Sequence, residues 1–337
     1  MPTLAASLTA ANTGGKTVSY AGVKIKGNDT SWGAALAAVA AADATIMCLG
    51  TDTSVGHEGT DRTDGIGLPS LQADFAAAVV AAARGKPVVA LLINHLPVSI
   101  DTLVAAGGPP AIVEAFAPGL GGPQVAELLF GGANRWGRMP HTLYPAAYAS
   151  AVALNDFSMT KPPGRSYRYY SGTPLVRFGD GLSYSLFTVA CTGGWSGGGD
   201  ALIVIACTVT HTSGPAGDQI LMVFHRVGAD VVSLVNGSHP IPSSRLVAFD
   251  RVAVGAGDTV PVSFSLSSVD ALPLVNERGA RVLYEGLHSF DVADGAGANE
   301  TVTVRWPAAQ TTNGNAALHQ PAQARALVVA QPPPLPA

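Results

Sequence analysis

Apolar residues in the first half of the chain fall into two alternating patterns. Thr45-Ile-Met-Cys-Leu-Gly50, Pro87-Val-Val-Ala-Leu-Leu-Ile93 and Ala111-Ile-Val-Glu-Ala-Phe116 are short, unbroken apolar runs. Such runs predict strands covered on both faces. Between them lie alanine-rich stretches that predict helices. Asp29, Thr30 and Ser31 offer N-caps to one at 32–42, and Ser70 offers a cap to another at 71–84 that stops at Gly85. Gly121-Gly-Pro opens a third, which runs to residue 130 and stops at Gly131-Gly132. Helix and strand alternating at this spacing predict a mostly parallel α/β sandwich, assigned to residues 1–190.

The period changes past residue 190. Gly193-Gly-Trp-Ser-Gly-Gly-Gly reads as a linker over 191–200. Strand-length runs follow at 201–210, 219–227, 246–254, 259–266, 286–292 and 301–306. Turn signals such as Ser213-Gly-Pro and Asp294-Gly-Ala-Gly separate them. Short strands so spaced predict an all-β second domain, a β-sandwich over 201–306. From Pro307 the chain is rich in Ala, Gln and Pro, which predicts a disordered tail over 307–337.

Composition narrows the function classes. The 337 residues leave room for two domains, each with its own core. Only 12% are charged, about half the usual share, which raises the question of a membrane. No uncharged apolar stretch reaches the ~20 residues of a membrane helix, and Asp43 interrupts the best candidate. A net charge of −4 without a Lys/Arg run argues against nucleic acid as a partner. Cys48, Cys191 and Cys207 are odd in number and lack CxxC spacing, so neither a zinc site nor a disulfide framework is expected. All three sit in apolar runs and read as buried thiols, with one bridging pair left open. The N-terminus has neither a basic segment nor an apolar one, so no signal peptide is expected. Sequons at Asn28, Asn236 and Asn299 would suit a secreted chain.

One loop concentrates the chemistry. After the first strand, Asp52, His57, Glu58, Asp61 and Arg62 follow in close succession, with Gly56 and Gly59 bracketing His57 and Glu58. In open parallel sheets, ligands bind beyond the carboxyl ends of the strands. A carboxylic acid in a partly apolar cleft there can give up a proton near neutrality. Glu58 is the candidate acid, with Asp61 or Arg62 orienting it or fixing the loop. The plainer reading is a solvated loop with an Asp61–Arg62 ion pair. His57 has no neighbour at metal-ligand spacing, so no metal site is expected, and its remaining role is contact with a substrate. His95, after the second strand, lies within reach of the same crevice or is simply hydrogen-bonded. Tyr167, Tyr169 and Tyr170 either stack on a sugar or pack beneath a long connection.

These residues carry a resemblance. Gly50-Thr-Asp-Thr-Ser-Val-Gly-His-Glu-Gly-Thr-Asp-Arg-Thr, then Leu68-Pro-Ser-Leu-Gln, resembles the acid/base loop of glycoside hydrolase family 3, in its plant-type β-xylosidase and β-glucosidase form. Pro118-Gly-Leu-Gly-Gly…Leu129-Phe-Gly-Gly-Ala-Asn-Arg-Trp-Gly-Arg-Met-Pro resembles P-G-x-x-G-G…L-F-G-x-x-N-P-x-G-R-L-P. Gly164-Arg-Ser-Tyr-Arg-Tyr-Tyr and Phe178-Gly-Asp-Gly-Leu-Ser-Tyr resemble G-R-T-Y-R-F-Y and F-G-x-G-L-S-Y. Thr208-Val-Thr-His-Thr-Ser-Gly and Asn276-Glu-Arg-Gly…Ser289-Phe resemble the two ends of that family's fibronectin type III-like module. The likeness covers about residues 35–306, and four motifs in order make it specific.

The resemblance implies a fold of (β/α)8 barrel, α/β sandwich and fibronectin type III-like β-sandwich, of which this chain carries the last two. It implies retaining hydrolysis of β-linked glycosides or oligosaccharides, without cofactor, outside the cell or in the cell wall. Two carboxyl groups serve such a reaction. Glu58 maps onto the general acid/base, with Asp61 and Arg62 shaping its loop. The family's nucleophilic aspartate sits on the barrel, in an S-D-W or S-D-C segment that this sequence lacks. The chain alone is therefore expected to be a poor enzyme, and the barrel its missing partner. A non-catalytic carbohydrate-binding or protein-interaction module, or an inactive paralogue, is the alternative. Three departures stand out: Asn94-His-Leu-Pro for S-G-G-P, Asn134-Arg-Trp-Gly-Arg for N-P-x-G-R, and Gly56 where the plant-type enzymes are often acidic.

Overall fold

The computed structural model describes residues 2–62, 65–195 and 202–307. The expected tail from 308, residues 196–200 of the expected linker and residue 201 lie outside them. The first part runs α1 (Leu4–Ala11), α2 (Gly33–Ala41), β1 (Thr45–Gly50), α3 (Gln72–Ala83), β2 (Val88–Ile93), α4 (Asp101–Val104), β3 (Ala111–Glu114) and α5 (Gly122–Leu129). The strands form a parallel sheet in the order β1-β2-β3. Helix α1, which the hydrophobic pattern did not announce, starts at Thr3, whose hydroxyl accepts from the Ala6 amide. The expected caps are not used. Asp29 accepts from the Ser31 amide and Trp32 takes the N-cap position of α2, while Ser70 donates to the Ile25 carbonyl.

Alternation within the strands decides which face is covered. Met47, Leu49, Val88, Ala90 and Leu92 bury against Val39, Phe75 and Val79 of α2 and α3. Trp32 sets its edge on Phe75 at 5.3 Å. On the opposite face Leu91 is buried but Cys48 is exposed. This corrects the expectation that β1 is covered on both faces and Cys48 is a buried thiol: the side chains that fill the described core all meet β1 from one side.

A long connection follows, with α6 (Tyr148–Ala151) and α7 (Ser166–Tyr169). The second part holds β4 (Leu186–Trp195), β5 (Leu202–Ser213), β6 (Gly217–Val227), α8 (Ala229–Val235), β7 (Arg245–Val254), β8 (Thr259–Ser267), α9 (Ser268–Ala271), β9 (Leu274–Val275), β10 (Arg281–Val282), β11 (Gly286–Ala293) and β12 (Asn299–Trp306). Two antiparallel sheets, β12-β11-β6-β7 and β4-β5-β8, share one core. Ile203, Ile205, Cys207 and Val209 point inward at every second residue of β5, towards Leu221, Val223, Phe290 and Val292 of the other sheet. Burying each of these larger side chains contributes about 1.5–3 kcal/mol.

Strand β4 corrects the linker. Gly193, Gly194 and Trp195 pair with Ile205, Val204 and Ile203 of β5, so residues 191–195 are sheet. The same pairing corrects the thiols. Cys191 stands directly opposite Cys207, their Cα atoms 4.1 Å apart, and the two form a disulfide. That distance suits the close, non-hydrogen-bonded pairs of an antiparallel ladder.

The two parts meet through the Asn134–Arg138 motif. Asn134 is buried, donates to Ser185 Oγ and accepts from the Ser183 hydroxyl. Arg138 donates to the Asp294 carbonyl at 2.6 Å and to Gln219 Oε1 at 2.8 Å, and Gln219 in turn donates to Asp294 Oδ2. Tyr167 stacks on Phe178 at 4.3 Å, sets an edge on Phe224 and accepts from the Leu246 amide.

Candidate functional site

The 51–62 loop leaves the carboxyl end of β1, the edge strand of its sheet. Gly50 there has φ +138°, and a Cβ would lie 2.1 Å from the Ile93 carbonyl oxygen, so only glycine fits. Its backbone faces the open edge, and Gln72 closes it. The Gly50 amide donates to Gln72 Oε1 and Gln72 Nε2 donates to the Gly50 carbonyl, both at 2.7 Å. Gln72 is 1% exposed and acts as one more paired residue where the strand ends.

The loop then turns twice. Asp52 accepts from the amide and the hydroxyl of Ser54, and these bonds hold its carboxyl below the usual carboxylate range. Gly56 is buried beneath residues from β2's end. His95 donates Nε2–H to the Gly56 carbonyl at 2.7 Å, and Leu96 Cδ1 lies 2.9 Å from where a Gly56 Cβ would stand. Beyond it, His57 and Thr60 exchange backbone hydrogen bonds at 3.1 and 2.9 Å, enclosing Glu58 and Gly59. Gly59 has φ +79° and Glu58 does not have a positive φ, the signature of a type II turn with Glu58 at its first corner.

Each expected site residue can now be placed. Glu58 is exposed, and its carboxyl makes no hydrogen bond or ion pair with a described residue. His57 is exposed and donates Nδ1–H to the Thr53 carbonyl at 3.0 Å, which leaves Nε2 outward. Asp61 is exposed and is not ion-paired to Arg62. Arg62 is half-buried and donates Nη2 to the Gly67 carbonyl, which fastens the far side of the loop. His95 reaches the same crevice, as a backbone tether. Tyr167 packs at the junction of the two parts, Tyr170 sets its edge on Tyr144 and Tyr148, and Tyr169 lies beneath Arg168. The three tyrosines are therefore packing residues.

Sequence reasoning missed the neighbours at the ends of β2 and β3. Asn94, 3% exposed, donates Nδ2–H to both Glu114 carboxylate oxygens, at 2.9 and 3.2 Å. The Phe116 amide also donates to Glu114 Oε1. Burial pushes the Glu114 carboxyl above the usual range, against the lowering effect of those bonds. The available signal was one carboxylate inside an otherwise apolar strand run. Among the described residues there is no group of three or more His, Cys, Asp or Glu side chains able to hold a metal, and no helix long and apolar enough to cross a membrane.

Comparison with known proteins gives this geometry relatives. The profile of the glycosyl hydrolase family 3 C-terminal domain matches residues 4–184. Beta-D-xylosidase 1 of Arabidopsis thaliana is 32% identical over 305 residues, covering 81% of this chain and 39% of its own. An exo-1,4-beta-xylosidase of Emericella nidulans is 33% identical over 280 residues, covering 77% and 35%. Among solved structures, a GH3 exo-beta-xylosidase in complex with a xylobiose aziridine probe superposes with a TM-score of 0.78 at 26% identity, over 92% of this chain and 43% of that one. A beta-glucosidase from Listeria innocua follows at a TM-score of 0.64 and 27% identity, over 81% and 37%. The chain thus spans well under half the length of the relatives it matches.

Proposed function

Because the chain belongs to glycosyl hydrolase family 3, as a C-terminal part of such an enzyme, we propose that its 51–62 loop carries the general acid/base of a retaining exo-β-glycosidase, with Glu58 in that role. One observation carries the reading. Glu58 stands at the corner of a tight turn, on a loop fastened at Gly50, Gly56 and Arg62, with its carboxyl free beyond the carboxyl edge of the parallel sheet. A fixed backbone with an uncommitted carboxyl is what proton transfer to an incoming glycosidic oxygen requires.

Retaining hydrolysis uses two carboxyl groups about 5–5.5 Å apart. One attacks the anomeric carbon. Glu58 would protonate the leaving oxygen, then take a proton from the water that releases the sugar. The attacking carboxylate, and the walls that would enclose Glu58, belong in this proposal to the part of the relatives outside the matched region, the (β/α)8 barrel of the family. Arg62 fixes the loop through Gly67, Asp61 adds negative charge beside the acid, and His57 presents Nε2 to the sugar. β-Xylosides and β-glucosides are the substrate classes that the relatives' names suggest. The second part, from β4 onward, fits a fibronectin type III-like sandwich. The Cys191–Cys207 disulfide supports an oxidising, extracellular setting.

A general acid alone contributes about 10²–10⁴-fold, so the isolated chain is a poor catalyst in this reading. The exposure of Glu58 favours one second reading, a sugar-binding module without turnover. The test is Glu58→Gln in the barrel-complete protein. Cleavage of alkyl glycosides should fall by about 10²-fold or more, and cleavage of nitrophenyl glycosides much less, because nitrophenolate leaves without a proton. Equal loss on both substrates would sink the acid assignment. Sugar binding without turnover in the unsubstituted protein would select the binding module.

A further inference from the structure

Arg168 of α7 and Arg245 of β7 line one small cavity, of about 30 Å³, between the long connection and the second part. Tyr169, His225, Pro242 and Leu274 are among its walls, and the lining includes no carboxylate. Both arginines carry a permanent charge. Arg245 spends its two Nη groups on the carbonyls of Pro273 and Ala271, and its Nε–H is buried without an acceptor. The Arg168 guanidinium lies 5.6 Å from the Tyr169 ring centre, and its Nε–H is likewise buried and unpartnered. Arg226, also in the lining, is neutralised by Asp291 at 2.6 Å. His225 adds no charge, because burial and the neighbouring His288 hold it neutral down to about pH 3.

We propose that this cavity binds one small oxyanion of the phosphate or sulfate class, held by the Arg168 guanidinium beside the positive charge of Arg245. Unsatisfied buried donors are costly, and here two sit on neighbouring cations that line one cavity with no carboxylate to balance them. Guanidinium groups match the spacing of phosphate oxygens. The volume holds about two water molecules, which admits a small anion and excludes a sugar ring. Two uncompensated positive charges select a dianion over a monocarboxylate. Because α7 belongs to the connection and β7 to the second part, the anion would tie one to the other. Burial and the charges of Arg168 and Arg281 depress the Arg245 guanidinium, a repulsion that a bound dianion would relieve.

The experiment is equilibrium dialysis of the full chain against labelled inorganic phosphate at pH 7.5, with potassium chloride at matched ionic strength, alongside thermal melts in the same buffers. The expected result is one saturable phosphate per chain, displaced by sulfate, and a melting temperature that rises with phosphate concentration. Acetate should compete at least tenfold more weakly. Arg168→Gln should weaken binding at least tenfold. Its guanidinium makes no hydrogen bond with a described residue, and Arg168→Lys, which keeps the charge, should retain part of the affinity. The absence of saturable binding, unchanged binding in Arg168→Gln, or acetate competing as well as phosphate would each overturn the proposal.

Discussion

Replacing Gln72 by leucine tests how the 51–62 loop is anchored. Leucine fills a similar volume in the same helix but can neither donate nor accept. The substitution strands the Gly50 amide and carbonyl, both now bonded at 2.7 Å in a residue that is itself buried. Each stranded buried group costs about 1–3 kcal/mol, so a loss of about 2–5 kcal/mol is expected. For a body of this size that corresponds to a melting temperature lower by about 5–15 °C. Gln72→Glu refines the test. A glutamate can still accept from the Gly50 amide, but it can donate to the Gly50 carbonyl only when protonated. Its folded-state pKa is therefore raised, so the stability it supplies is present below the ordinary glutamate value and lost as pH rises through the folded one. Urea unfolding from pH 4 to 8, followed by Trp32 fluorescence and far-UV circular dichroism, reads both variants. A loss below about 0.5 kcal/mol in Gln72→Leu, or a Gln72→Glu curve parallel to the leucine variant at every pH, would refute the clamp.

Arg138→Met keeps the aliphatic stem but leaves Gln219 and Asp294, 1% and 3% exposed, short of a charged donor; urea unfolding should show a loss of about 2–4 kcal/mol. Reducing the Cys191–Cys207 disulfide, which spans 16 residues, should cost the second part about 3 kcal/mol, read as a lower urea midpoint in dithiothreitol; no shift would place the bridge in a region already constrained. The stacked His225 and His288 pair is buried, and burial lowers both, His225 to about 3. Unfolded histidines bind protons from about pH 6.5 downward while His225 stays neutral and His288 resists its proton, so stability is full above that pH and falls as pH drops towards 3. His225→Gln should flatten a slope of up to about 1.4 kcal/mol per pH unit in that window, and an unchanged slope would place the titration elsewhere.

The parallel strands were legible because local periodicity announces them, and the charged 51–62 loop stood out because charge is scarce in this chain and concentrated there. What stayed hidden depends on partners distant in sequence. Gln72 reads as an ordinary helix-start residue until Gly50 is beside it, and His95 acquires its role only through the Gly56 carbonyl. The glycine run at 193–194 misled for a physical reason. A Cβ at Gly193 would lie 2.5 Å from the Val204 carbonyl oxygen, so glycine there permits close strand approach rather than flexibility. With β4 unread, Cys191 could not be seen to face Cys207. Two of the motif departures likewise meet in space. Leu96, from the unusual Asn94-His-Leu-Pro, packs against Gly56, where a longer side chain would collide with it. Asp61 and Arg62 do not pair in the structure, where Arg62 Nη2 donates to the Gly67 carbonyl.

The joint built by Asn134 and Arg138 sets terms for anyone who would cut or transplant this protein. Its donors sit in the first part and its buried acceptors, Gln219 and Asp294, in the second, so a scission near residue 185 would leave both sides with exposed or orphaned polar groups. A graft of the β-rich part onto another scaffold would have to take the 134–138 segment with it, or replace Gln219 and Asp294 by apolar residues. Recombination between relatives should accordingly tolerate crossovers in the 51–62 loop better than crossovers between residue 138 and β6.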